Sequence, residues 1–261
     1  MRKLTQVLAL FVGLSLHAQE AEWTSIQDIN PFIGTGGHGH THPSAQAPFG
    51  MIQLGPNTRY DGWDGCSGYH FTDSAMYGFT STHLSGTGVS DYGDLLMLPY
   101  SKPTKEGDHI PFFKEDEHAQ AGYYACILDD GTRIEATAGD RIGKLRIHYP
   151  RNGAPGMMVD LNFRDRVLKQ DFSAVGGGKF EGHRISEGWA REQHFYFGFE
   201  VSPAPDSVWE LSPGVYWLAL PEGTVDAEVS ISMSGTSEEG AWKNFKGEEA
   251  SRPFEEIFEE T

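Results

Sequence analysis

The stretch from residue 123 to residue 149, YYACILDDGTRIEATAGDRIGKLRIHY, decides the fold. Two strand-like segments, 123–128 and 132–138, flank the turn residues Asp129-Asp130-Gly131, which is typical of a β-hairpin. Beyond the hairpin, Leu145, Ile147 and Tyr149 alternate with charged residues. Since side chains alternate between the two faces of a strand, this pattern predicts a third strand that is buried on one face.

Further strand-like segments follow at residues 157–163, 179–186, 194–201, 214–220 and 226–233. Short strands at close spacing predict an all-β fold, a β-sandwich of two antiparallel sheets. The 32 glycines and 14 prolines provide many turns, which also favours β structure. Residues 238–245 have the pattern of a short helix.

The N-terminal third differs, because residues 22–99 are rich in Gly, His, Ser, Thr and Asp. Short strand-like pieces at 50–54 and 95–98 are separated by long glycine-rich loops. Loops of this length are usually functional or disordered, and the aromatic and histidine content disfavours disorder. We therefore expect the functional residues in this part of the chain.

Charge and the N-terminus indicate the compartment. The formal net charge of −17 argues against nucleic acid and anionic membrane surfaces as partners. Arg2 and Lys3 precede an apolar stretch, residues 4–16, which predicts a signal peptide over residues 1–18 with cleavage after Ala18. Because no cysteine is near that position, we expect a secreted or periplasmic protein and not a lipoprotein.

The remaining chain divides into a β-sandwich domain at residues 19–245 and an acidic C-terminal helix at residues 246–261. Phe254, Ile257 and Phe258 have the i, i+3, i+4 spacing of an apolar helix stripe. This stripe either docks on the sandwich of the same chain or requires a partner. Cys66 and Cys126 could form a disulfide after export or remain two separate thiols.

The histidines in GGHGHTH, residues 36–42, form the first candidate site. In an extended segment His38, His40 and His42 would share one face, and three imidazoles with a water are a known zinc arrangement. The flanking glycines indicate a turning backbone, which favours ligand contact, interdomain contact or structural hydrogen bonding. A metal-dependent hydrolase is the weaker alternative.

The second candidate site is RYDGWDGCSGYH, residues 59–70. A sugar packs its C–H face on an aromatic ring and offers its hydroxyls to charged groups. Trp63 stands close to Arg59, Asp61 and Asp64, and the glycines permit close backbone approach. The alternative is a glycine-rich turn in which both aspartates cap backbone amides and Trp63 belongs to the core.

The third candidate site, residues 82–94, places His83, Ser85 and Asp91 close together in the sequence. The segment lacks the GxSxG turn of a hydrolytic serine, so we expect a polar loop beside Trp63. Aspartates are also candidates for the carboxylate pair of a glycoside hydrolase, although local hydrogen bonding is commoner in glycine loops. The candidates by residue type are Asp61, Asp64, Asp91 and Asp94.

Residues 29–71, INPFIGTGGHGHTHPSAQAPFGMIQLGPNTRYDGWDGCSGYHF, and residues 77–99, YGFTSTHLSGTGVSDYGDLLMLP, resemble the N-terminal domain of glycoside hydrolase family 92. The resemblance continues through residues 121–124, 185–193 and 229–244. The family consists of secreted, mostly bacterial exo-acting α-mannosidases. It implies a β-sandwich packed against a helical (α/α)₆ barrel through a helical linker, with the active site between them.

The resemblance also implies calcium-dependent inversion of α-mannosidic bonds, with mannose-terminated glycans as substrates. The substrate contacts it suggests are Arg59, Trp63, Asp64, Cys66, His83 and Ser85. The family's general acid, general base and most calcium ligands belong to the barrel, so no catalytic residue and no firm metal ligand is expected among these 261 residues.

We therefore expect the chain to be inactive alone, with residues 246–261 as the start of a truncated linker helix. The barrel would be supplied in cis if the chain is a fragment, or in trans if the gene is split. A stand-alone carbohydrate-binding module is the alternative.

Overall fold

The computed structural model describes residues 29–248 and 250–261. The expected signal peptide, residues 1–18, lies outside this range. Within the described residues, no helix is long and apolar enough to cross a membrane.

The described residues form sixteen β-strands and two α-helices. In chain order the strands are β1 (Gly55–Asn57), β2 (Ala75–Met76), β3 (Gly78–Thr80), β4 (Leu96–Tyr100), β5 (Ile110–Pro111), β6 (His118–Gln120), β7 (Tyr123–Ile127), β8 (Arg133–Ala138), β9 (Ile142–His148), β10 (Gly156–Asp160), β11 (Arg166–Gly176), β12 (Lys179–Glu187), β13 (Gln193–Ser202), β14 (Ser207–Ser212), β15 (Val215–Ala219) and β16 (Asp226–Ser234). The helices are α1 (Glu238–Gly247) and α2 (Phe254–Glu260).

These strands form the predicted antiparallel sandwich. The larger sheet has the order β11-β12-β13-β16-β9-β8-β7-β6, and the smaller one has the order β1-β3-β4-β10-β15-β14. The pair β2–β5 forms a separate two-stranded ribbon. The hairpin predicted from the sequence is β7–β8, in which Ile127 pairs with Arg133 and the Leu128 amide donates to the Thr132 carbonyl.

The core lies between the two sheets. In the smaller sheet Leu98, Met158 and Trp217 lie side by side across three strands, and all are buried. Phe199 and Ile231 form a similar row in the larger sheet. Both rows belong to one continuous apolar cluster, and burial of each large side chain contributes about 1.5–3 kcal/mol.

Both helices cover the outer face of the larger sheet. Helix α1 begins at the N-cap Ser237, packs on β13 and β16, and buries Phe245 against Ile142 of β9. Helix α2 buries Ile257 in the same outer cluster and Phe254 near Tyr123. The C-terminal stripe therefore docks on the sandwich of its own chain.

The helices also explain a departure from the predicted half-buried strand. Lys144, on the outer face of β9, is almost fully buried and pairs with Glu228. Arg146, two residues further, pairs with Glu255 of α2 and lies over the Phe254 ring. The alternation of apolar and charged residues in β9 predicts that the charged face is exposed to water. In the structure the charged side chains of this face contact other protein groups instead.

Several segments differ from the sequence-based prediction, among them the short strands β2, β3, β5 and β6, which were not predicted. Residues 50–53 are not a strand, because the Gly50 amide donates to the Ala47 carbonyl in a turn, and the strand begins at Gly55. Strands β11 and β14 were not predicted. Both are edge strands whose side chains are mostly exposed, so neither carries the alternating apolar pattern.

Candidate functional site

The three candidate segments of the sequence converge in the structure. The Gly86 amide donates to the His40 carbonyl at 2.7 Å, which joins the third segment to the first. The Ser67 hydroxyl donates to the Thr41 carbonyl at 3.0 Å, which joins the second to the first. The loops before and after β1 and β3 thus form one continuous surface.

Trp63 is the most prominent side chain of this surface. It begins a short 3₁₀ turn, Trp63–Gly65, and 63% of its surface is exposed. The His40 ring stands edge-on to the indole, with 4.9 Å between the ring centroids. Gly88 lies against the indole, since an added Cβ would be 1.9 Å from the ring. The indole is therefore supported from beneath and open to ligands.

Asp64 hydrogen-bonds to one imidazole and lies near a second beside that indole. Its Oδ1 lies 2.6 Å from Nδ1 of His38 and 3.5 Å from Nε2 of His40. The hydrogen bond with His38 holds the pKa of the Asp64 carboxyl below its usual range. The carboxylate is thus ionised and suited to accept hydrogen bonds from hydroxyls, but not to act as a general acid.

Arg59 lies on the other side of the 3₁₀ turn. Its guanidinium donates to both carboxylate oxygens of Asp73, from Nε at 3.0 Å and from Nη2 at 3.0 Å. With Asp61, Tyr77 and His109 it lines a cleft of about 470 Å³. Arg59 and Asp61 therefore face this cleft, apart from the contacts that Trp63 and Asp64 make with the histidines.

Cys66 and His83 are buried beneath the surface. The Cys66 thiol donates to the Thr87 carbonyl at 2.7 Å, and burial raises its pKa. His83 has Nδ1 3.0 Å from the Gln53 carbonyl oxygen, and burial lowers its pKa well below the ordinary value. Both side chains hold loops together, whereas Ser85 is exposed at the loop tip.

The three histidines do not converge. His38 and His40 face Asp64, but His42 stacks on His83 with 4.6 Å between the ring centroids. Burial lowers the pKa of His42 to about 4. The backbone turns at Gly37 and at His40, both of which have positive φ, so the extended alternation needed for a three-histidine zinc site is not formed.

Within residues 29–248 and 250–261, no group of three or more His, Cys, Asp or Glu side chains could hold a metal ion. Calcium takes six to eight oxygen ligands, several of them carboxylates. Asp64 and Asp73 instead bind imidazole and guanidinium groups.

Arg164 is a residue of this site that sequence reasoning missed. It is buried, and its Nη2 donates to the carbonyls of Gly65 and Cys66 at 3.1 and 2.9 Å. Its guanidinium also donates to the Ser90 hydroxyl. Arg164 thereby joins the Trp63 turn to the third segment. Because Arg164 follows β10 and is distant in sequence from both loops, no sequence pattern indicated that it belongs to this site.

Asp91 meets a second carboxylate that was also missed. Asp165 hydrogen-bonds to Asp91, and burial together with this contact raises the pKa of Asp165 to about 7. The backbone amide of Tyr92 donates to Asp165 at 2.9 Å. The carboxyl groups of glycoside hydrolases stand about 5–9.5 Å apart, so a hydrogen-bonded pair does not fit that role. Asp94 is likewise occupied, by an ion pair with buried Arg184.

Cys66 and Cys126 are both buried free thiols. This resolves the alternatives left open by their spacing. Cys126 lies in β7, and burial raises the pKa of its thiol far above the ordinary value.

Comparison with known proteins identifies the motifs as those of one family. The sequence model of the glycosyl hydrolase family 92 N-terminal domain matches residues 29–252. The solved family GH92 α-mannosidase BT3965 from Bacteroides thetaiotaomicron aligns over 89% of this chain with 27% identity and a TM-score of 0.81. The same enzyme in complex with mannoimidazole aligns with 28% identity and the same TM-score.

A curated relative, the "Uncharacterized secreted glycosidase" of Arthroderma benhamiae, is 26% identical over an alignment of 171 residues, which covers 59% of this chain. The chain spans 36% and 35% of the two solved mannosidase structures and 22% of the curated relative.

Proposed function

This chain belongs to glycoside hydrolase family 92, as its N-terminal domain, and from that membership we propose that it forms one wall of the terminal-mannose pocket of a secreted α-mannosidase. The observation that carries the proposal is the exposed indole of Trp63, which is fixed between His40 and Gly88 beside the ionised Asp64. This arrangement offers an apolar platform and a charged acceptor to one sugar ring.

The site residues have two roles in this proposal. Trp63 and Asp64 contact the mannose, with Ser85 at the loop tip and Arg59 in the adjoining cleft as further contacts. Cys66 and His83 act from beneath, because both are buried and bonded to backbone carbonyls. They hold Thr87 and Gln53 in place and so position the loops that carry the contacts.

We propose that the 261-residue chain does not hydrolyse glycosides by itself. A general acid needs a raised pKa at the scissile bond, whereas the pKa of Asp64 is lowered. The raised pKa of Asp165 belongs to a carboxylate that is hydrogen-bonded to Asp91 and to the Tyr92 amide. The acid, the base and the calcium ligands would come from a helical barrel domain outside these residues.

Calcium, when bound in the complete enzyme, would supply a positive charge that polarises sugar hydroxyls. The residues of this chain would bind and orient the mannose against it. The relative described as a secreted glycosidase and the predicted signal peptide support an extracytoplasmic location.

Hydrolysis assays test the proposal. The purified chain is incubated with an aryl α-mannoside, with calcium and with a chelator. We expect no turnover above background in either condition, and turnover only when a barrel domain of the same family is added. Calcium-dependent cleavage by the chain alone would refute the proposal that the acid, the base and the calcium ligands come from a separate barrel domain.

A stand-alone carbohydrate-binding module is the second candidate, favoured by the openness of the Trp63 platform. The two candidates differ in the effect of a barrel domain. A free-standing module binds mannose equally well with and without the barrel, whereas a pocket wall gains affinity and activity when the barrel is present.

A further inference from the structure

A second tryptophan is exposed near the same loop. Trp189 lies in the connection between β12 and β13, and 68% of its surface is exposed. Single exposed apolar side chains are common on proteins, so its significance depends on what holds it in place.

The connection that carries Trp189 is fastened to the third candidate segment. The Gln193 side-chain amide donates to the Asp91 carboxylate. The Gly188 backbone lies so close to Asp91 that an added Cβ would be 2.2 Å from its Oδ1. The Gly188 amide also donates to the Ala190 carbonyl at 3.1 Å, which closes the tip. The backbone on both sides of Trp189 is therefore fastened near Asp91.

Trp63 borders the same loop at its other end, where its ring lies against Gly88. The three steps from Gly88 to Asp91 span at most about 11 Å, even in a fully extended chain. Two exposed tryptophans thus border the segment from Gly88 to Asp91, one at each end.

Charged residues lie close to Trp189 in the sequence, as they do for Trp63. Arg191 and Glu192 are exposed at the same tip, and Arg166 pairs with Glu187 at its base. An indole beside a guanidinium and carboxylates again matches the C–H face and the hydroxyl edges of a sugar.

We propose that Trp189 forms an outer subsite, which binds a further sugar residue of an α-linked mannose oligosaccharide whose terminal residue contacts Trp63. The inference rests on the proposed function, because it takes the Trp63 surface as the terminal-mannose position. Packing one sugar face on an indole removes roughly 40–55 Å² of apolar surface from water, which corresponds to about five- to tenfold in affinity.

Titration of the full chain with methyl α-mannoside and with α-mannotriose tests the subsite, with protein NMR as the readout. We expect α-mannotriose to bind about five- to tenfold more tightly. Trp189→Ala should leave the affinity for methyl α-mannoside unchanged and abolish the gain from the longer ligand. Trp209→Ala is the matched control, since Trp209 is exposed on the edge strand β14 and should affect neither ligand.

The outcomes separate the two proposals. If methyl α-mannoside binds but α-mannotriose binds no more tightly, or if Trp189→Ala keeps the gain, the outer subsite is refuted and the Trp63 pocket stands. Equal weakening of both ligands by Trp189→Ala also refutes it. If neither ligand binds saturably, the proposed function fails, and the outer subsite fails with it.

Discussion

Replacement of Asp165 by asparagine tests the hydrogen-bonded carboxylate pair through the pH dependence of folding stability. Folded Asp165 keeps its proton up to a pKa of about 7, whereas the ordinary aspartate value is 3.8. Between these two pH values the folded state binds more protons than the unfolded state. The free energy of unfolding therefore falls as the pH rises from about 4 to about 7.

The size of this change in the free energy of unfolding follows from the pKa shift of Asp165 and from the exposure of its side chain. A shift of this size corresponds to an upper limit of about 4 kcal/mol. Because Asp165 is only half-buried and Arg184 offsets part of the repulsion from Asp91 and Asp94, solvent-screened values of about 1–2 kcal/mol are expected.

Urea denaturation of the wild type and of Asp165→Asn between pH 4 and pH 8 measures the effect. The introduced amide can donate to Asp91 and still accept from the Tyr92 amide without titrating. We expect the variant to lose about 1–2 kcal/mol of the pH-dependent change and to be the more stable protein at pH 8. Asp61→Asn, at an exposed aspartate, is the control. If the free energy of unfolding of Asp165→Asn changes with pH as steeply as that of the wild type, the raised pKa of Asp165 is refuted.

Three further predictions concern Gly88, Arg164 and the two cysteines. Gly88→Ala should displace the indole, because the new Cβ would lie 1.9 Å from the ring. The variant should stay folded and bind methyl α-mannoside more weakly. Gly36→Ala is the control in the same titration, since its new Cβ meets only the Phe71 Cβ at 3.7 Å. Arg164→Met should cost about 2–4 kcal/mol in urea denaturation, since it leaves the Gly65 and Cys66 carbonyls without their buried donor; a loss below 0.5 kcal/mol would contradict this role. A thiol reagent should modify neither Cys66 nor Cys126 in the native chain and both after denaturation, and rapid native labelling would contradict their burial.

The strands that bury an apolar face could be predicted from the sequence. The β7–β8 hairpin and the strand β9 carry alternating apolar residues, because one face of each packs into the core. The edge strands β11 and β14 could not be predicted, since their exposed side chains leave no periodic pattern.

The candidate site was predictable in part. Aromatic, charged and glycine residues adjacent in sequence marked the loop around Trp63, because a sugar platform needs those groups close together. The positions of Arg164 and Asp165 depend on how the turn after β10 folds back on two distant loops. No local pattern encodes such contacts, whereas the glycines around the three histidines did indicate that the backbone turns there.

The central claim, that this chain presents a mannose-binding wall around Trp63, is tested most directly by titrating methyl α-mannoside into the purified chain and following the Trp63 indole by NMR. The account predicts weak saturable binding, with a Kd of about 1 mM or above, that perturbs the Trp63 indole and is lost in Trp63→Ala. A folded chain whose Trp63 signal is unchanged at saturating mannoside, or a Trp63→Ala variant that binds as well as the wild type, would contradict it.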